Sequence, residues 1–145
     1  MFKIFGVALV VVAVALAVVP MFTDCQSQGK SLTTSGGKTV PMKCHWTGVA
    51  ELATAMPLAV VGGMMVVSRR KQSLQYLSVL GVVLGGVAVA LPNKLIGVCA
   101  TPTMLCHTTM SPALTAMGAA TVAIGIVGLI MASGKKSILD TVEKD

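Results

Sequence analysis

Met42-Lys43-Cys44-His45-Trp46-Thr47 and Met104-Leu105-Cys106-His107-Thr108-Thr109 are two copies of one pattern, Met-x-Cys-His-x-Thr, set 62 residues apart. Each copy stands just before a long apolar run, Val49 to Val67 and Pro112 to Ala132. Upstream of each, across a more polar stretch, lies another apolar run, Ile4 to Phe22 and Leu74 to Leu91. The chain therefore reads as a tandem duplication: apolar span, loop closing on the motif, apolar span, twice over.

Each run approaches the roughly 20 apolar residues needed to cross about 30 Å of hydrocarbon. Composition agrees. Mean hydropathy is +0.86 and only 11% of residues are charged, against about 25% in a soluble domain. So little charge cannot coat a globule of 145 residues in water. The net charge of +6 does not point to nucleic acid, because the basic residues are not interleaved with aromatics and only five aromatics exist. It is better read as topology information.

The first run could also be a secretory signal. Its apolar stretch exceeds the usual 7–15 residues, and no Ala-x-Ala site or lipobox precedes Asp24 and Cys25. It is expected to be a retained first helix. With the N-terminus in the cytoplasm, Lys3, Arg69, Arg70, Lys71, Lys135, Lys136 and Lys144 lie inside, and Lys30, Lys38, Lys43 and Lys94 outside. The dense Arg69-Arg70-Lys71 turn decides this orientation. Both termini are then cytoplasmic and both motifs outside.

The expected architecture is all-α: one membrane domain over 1–145, a four-helix bundle with spans at 4–22, 49–67, 74–91 and 112–132. Outer loops cover 23–48 and 92–111, and a cytoplasmic tail covers 134–145. Gly62-Gly63, Gly81-x-x-x-Gly85 and Gly118, Gly125 and Gly128 allow close helix crossings, within the chain or in a homo-oligomer. A two-span unit repeated in one orientation implies a pseudo-twofold axis along the membrane normal. Continuing the motif alignment sets Leu52 against Leu114 and Ala113 in the place of Glu51. In the first loop, Ser35-Gly36-Gly37 between Thr-rich stretches suggests a β-hairpin turn.

Cys25, Cys44, Cys99 and Cys106 all fall on the outer side. An even set of cysteines in an oxidising compartment suggests disulfides. Of three connectivities, Cys25–Cys44 and Cys99–Cys106 close one loop each, and the first would contribute roughly 3 kcal/mol in the chain-entropy picture. Besides stapling, Cys44 and Cys106 could carry thiol–disulfide exchange, although no Cys-x-x-Cys is present. Met42, Cys44, His45, Met104, Cys106 and His107 are also soft donors suited to copper or zinc, or to haem through paired imidazoles. Disulfides would remove both thiolates from such a site. Thr47 and Thr109 are placed to cap the helices that follow, and Trp46 to anchor at the headgroups. Glu51 is the only acid within a span. It is expected to reach the outer water, with a structural or a proton-handling role.

Taken together, Met42-Lys43-Cys44-His45-Trp46-Thr47 with Ala50-Glu51, Leu95-Ile96-Gly97-Val98-Cys99, and Met104-x-Cys106 resemble the bacterial family catalogued as domain of unknown function 4418, from Cys25 onwards. The resemblance implies a small four-span membrane protein of bacteria and transfers no catalytic residues; the expected location is the cytoplasmic (inner) membrane. It also suggests a larger membrane partner such as an ABC-type export permease. With no nucleotide-binding or nucleophile motif, the chain is expected to be a non-enzymatic accessory or scaffold subunit, without a cofactor and in contact with lipid rather than nucleic acid.

Overall fold

The computed structural model describes residues 2–23, 29, 31–68, 70–98, 104 and 106–142. Its long elements are four helices: α1 (Phe2–Thr23), α2 (Lys43–Val67), α3 (Lys71–Ala90) and α4 (Ser111–Val142). At 1.5 Å per residue, even the 20 residues of α3 cover about 30 Å. All four are long and apolar enough to cross a membrane. The turn at Ser35-Gly36-Gly37 does join a small hairpin, in which β1 (Leu32–Thr33) pairs antiparallel with β2 (Thr39–Val40). Gly37 adopts the left-handed φ of +74° that this turn requires.

α1 packs on α2 and α3 on α4 as two antiparallel hairpins. α1 also meets α4, and α2 meets α3, so the helices form a ring with α2 and α4 on one diagonal. One end of the bundle carries both Met-x-Cys-His motifs (the motif rim). The other carries Arg70 and the α2–α3 turn (the basic rim).

Each helix buries one narrow seam, with inward positions alternating three and four residues apart, as in left-handed coiled coils. The seams repeat. Gly6, Leu9, Ala13, Leu16 and Pro20 of α1 recur at Ser78, Gly81, Gly85, Ala88 and Pro92, each 72 residues on and each buried. The close contacts recur with them. A Cβ on Gly62 would lie 2.9 Å from both the Gly6 carbonyl oxygen and Val10 Cγ2. A Cβ on Gly125 would lie 3.1 Å from the Ser78 carbonyl oxygen and 2.6 Å from Val82 Cγ2.

Along α2 and α4 the register slips once. Cys44 and Gly48 correspond to Cys106 and Met110, but Glu51, Ala55, Leu58, Gly62 and Met65 correspond to buried Leu114, Gly118, Thr121, Gly125 and Gly128, one residue further on. The extra residue is taken up where Cys106–Met110 forms a π turn leading into α4, since an i→i+5 bond encloses one more residue than an α-turn. Pro112 supplies no N–H to the Thr108 carbonyl, and its ring crowds that oxygen, which favours a widened turn. The counterpart of Glu51 is therefore Leu114, not Ala113. A second π turn, Leu91–Leu95, carries Pro92 and prolongs α3, with Ile96 N–H donating to Leu91 O at 3.1 Å.

The helices also reach further than the apolar runs. Met42 is the N-cap of α2, so the first motif is helical rather than part of the preceding loop. Its carbonyl accepts from His45 N–H at 3.0 Å, and Met104 O accepts from His107 N–H at the same distance. At the far end, α4 continues through the polar tail to Val142.

Candidate functional site

Because the first motif opens α2, its residues diverge by about 100° per position, and Cys106 to Thr109 diverge likewise, by a smaller angle, in the π turn. Cys44 and Cys106 point inward, fully buried within a single hydrophobic cluster. Met42 and Met104 pack against that cluster. The histidines turn elsewhere. His45 lines a small groove between α1 and α2 with Ala17, Pro20 and Gly48. Its ring meets Trp46 edge-on at a centroid separation of 6.1 Å, and Trp46 itself is 57% exposed. His107 is exposed. The two Cys-His dipeptides are thus brought to one rim, with His45 half-buried in its groove and His107 exposed. Among the described residues, no three His, Cys, Asp or Glu side chains gather as a metal site would require. Cys25 and Cys99 lie outside the described residues, and the pairings Cys25–Cys44 and Cys99–Cys106 with them. No disulfide occurs among the described residues.

Thr47 does not cap α2. The helix starts four residues before it, so its hydroxyl faces carbonyls instead of the orphan N–H groups of a first turn. It donates to Gly97 O at 2.7 Å, with Lys43 O at 3.3 Å. Gly97 ends the π turn after α3 in a left-handed conformation, φ +79°, with its N–H on Leu91 O at 3.1 Å. This turn aims its carbonyl across the bundle at α2 and ties the second loop to the first motif. Among the described residues Thr109 makes no corresponding bridge. It is exposed in the π turn, while its neighbour Thr108 donates to Met104 O at 3.3 Å. Reading Thr47 as a cap hid the Thr47–Gly97 link. The signal that would have found it is Gly97 itself, a glycine just past an apolar run.

Below Cys44 and Thr47 on the same inward face lies Glu51, 0% exposed. It does not reach water. The coiled-coil spacing of the α2 seam carries it into the core instead of around to the rim. Among the described residues its Oε1 has no hydrogen-bond partner. Thr54 Oγ1 lies 3.5 Å from Oε2 and donates at 2.9 Å to the Glu51 backbone carbonyl instead. At 3.5 Å the side-chain contact is marginal, so the carboxyl sits in an apolar core almost uncompensated. Burying such a group costs free energy unless it is hydrogen-bonded.

A model of the family described as Domain of unknown function (DUF4418) matches residues 5–131. The chain belongs to this family. The match begins within α1, so the first helix is part of the family unit together with the motifs. No curated protein and no solved structure matches the chain. What is common to the family and this geometry is a protein of unknown function with four helices of membrane-spanning length.

Proposed function

We propose that this chain is a non-enzymatic accessory or scaffold subunit of a bacterial inner-membrane complex of transporter type, with both termini cytoplasmic and the motif rim outside. The filled bundle axis carries this reading. Met110, fully buried, reaches from the start of α4 across the diagonal, and a Cβ on Gly48 of α2 would lie 3.8 Å from its Cε. Met65, equally buried, reaches the opposite way near the basic rim, and a Cβ on Gly128 of α4 would lie 3.9 Å from its Cε. Methionine fills irregular space well, and these two plug the axis near each end. A bundle packed in this way offers its outer faces, rather than an interior path, to other molecules.

The test places a photo-crosslinking residue at exposed positions such as Val14, Val60 and Val83 in cells. One larger membrane protein, captured from a single face and co-purifying at fixed stoichiometry in mild detergent, is the expected result. Crosslinks to lipid alone from every face would refute a subunit role.

A second reading, thiol–disulfide exchange, is favoured by one observation: Cys44 and Cys106 occupy equivalent buried positions in the two halves. Exchange requires an attacking thiolate and a resolving cysteine within reach. Cys44→Ser or Cys106→Ser would then abolish oxidation of a test dithiol while the chain still accumulates. Loss of folding without any dithiol activity in the parent protein would assign the cysteines to stapling.

A further inference from the structure

We propose that an open groove between α2 and α3 at the basic rim binds one anionic phospholipid, with its phosphate at the Arg70 turn and an acyl chain along the groove. The groove holds about 480 Å³ and is lined by Met64, Val67, Ser68, Ser73, Tyr76 and Leu77. That volume falls in the range of small-molecule sites, roughly 300–1,000 Å³. Met64 and Leu77 form an apolar wall along the helix sides, and Val67, Ser68 and Ser73 line the end where the helices turn back. Tyr76 is 77% exposed, an arrangement that suits a phenol at headgroup depth.

Charge selects the headgroup. The connection between α2 and α3 spans only residues 68–70, and the sequence through it is Ser68-Arg69-Arg70-Lys71, the densest basic run in a chain of net charge +6. Arg70 is exposed, one residue before α3 begins and three before Ser73. Arg70 stands in sequence between the two serines that line the groove, and a guanidinium and hydroxyls are the donors that a phosphodiester accepts from. Basic clusters at the membrane surface attract anionic lipid by roughly fivefold in affinity per residue. A free anion would use the turn alone, whereas a phospholipid uses the turn and the apolar wall together.

The test is native mass spectrometry of the full chain in detergent, titrated with phosphatidylglycerol and phosphatidylcholine of identical acyl chains. One phosphatidylglycerol should be retained about fivefold or more over phosphatidylcholine. Arg70→Gln should remove most of that preference. Met64→Trp fills the wall without altering charge, and it should weaken both lipids severalfold with an unchanged melting temperature. Lys94→Gln, at the opposite rim, should change nothing. Equal retention of the two lipids would overturn the proposal. So would a Lys94→Gln loss matching that of Arg70→Gln, or displacement of phosphatidylglycerol by excess inorganic phosphate. If Arg70→Gln does not fold, unchanged binding in Met64→Trp overturns the groove on its own.

Discussion

Two side chains of the first motif region concentrate the chemistry of this fold. Glu51 has an oxygen with no partner among the described residues, in a core where its counterpart is Leu114, equally buried. Replacing an unsatisfied buried polar group by an apolar one of similar size is neutral to favourable. Glu51→Leu is therefore expected to raise stability by roughly 1–3 kcal/mol, read from unfolding in mixed micelles. A destabilised variant would mean that the carboxyl is paired in the native membrane. Thr47→Val works in the opposite sense. It removes the 2.7 Å bond to Gly97 O and leaves that carbonyl without its donor, at about 1–3 kcal/mol. Faster amide exchange around Gly97, with α1 unaffected, is the signature to look for. The sequence marks Glu51 as unusual, since no other acid interrupts an apolar run. It cannot show what faces Glu51, because the repeat aligns through the motifs and the residue added at the π turn lies just beyond them.

At the level of helices, glycines divide into those that another helix touches and those that none does. Gly62 and Gly125 hold equivalent crossings, where an added Cβ would come within 3.1 Å of a facing backbone oxygen. Gly63 and Gly86 have no neighbouring-helix atom within 4 Å of that position. Gly62→Ala and Gly125→Ala should each cost about 1–3 kcal/mol. Gly63→Ala and Gly86→Ala should be neutral or stabilising by up to about 1 kcal/mol, through helix propensity. A thermal series of the four proteins tests this, and four equal shifts would refute the division. The apolar runs were legible because lipid demands length and low charge, and period-3.5 seams lie within them. Which small residues meet was not. In Gly81-x-x-x-Gly85 only Gly85 has a close cross-helix neighbour, Thr121, at 3.0 Å. A contact of that kind depends on how two helices are rotated, and spacing along one helix does not encode it. The helix starts extend beyond the apolar runs for a related reason. The motif residues are polar enough to resemble loop, yet Met42 opens a helix in which Cys44 and Thr47 face the core.

For the molecule as a whole, the recurring seams give the bundle its ring, and the breaks in that recurrence give it direction. The halves match in their seams and in Cys44 and Cys106, but among the described residues only one half carries a buried carboxyl, and the one run of three basic residues is Arg69-Arg70-Lys71. Membrane insertion reads such a run directly, because lysine and arginine close to the ends of spans are retained on the cytoplasmic side. The antiparallel hairpins then place Lys94 and Gln72 at opposite ends of α3 and its π turn, both exposed. Lys94→Cys in intact cells should react with a membrane-impermeant maleimide, and Gln72→Cys should react only after the membrane is opened, with the parent protein as the blank. Reaction of both from outside would place the Arg70 turn and the Cys-His rim on one face. The ring of four spanning helices would then be wrong, whatever the stability of each helix. The reverse pattern would keep the bundle and invert it. The motif rim would then face the reducing cytoplasm, where neither stapling disulfides nor outer-face thiol exchange could persist.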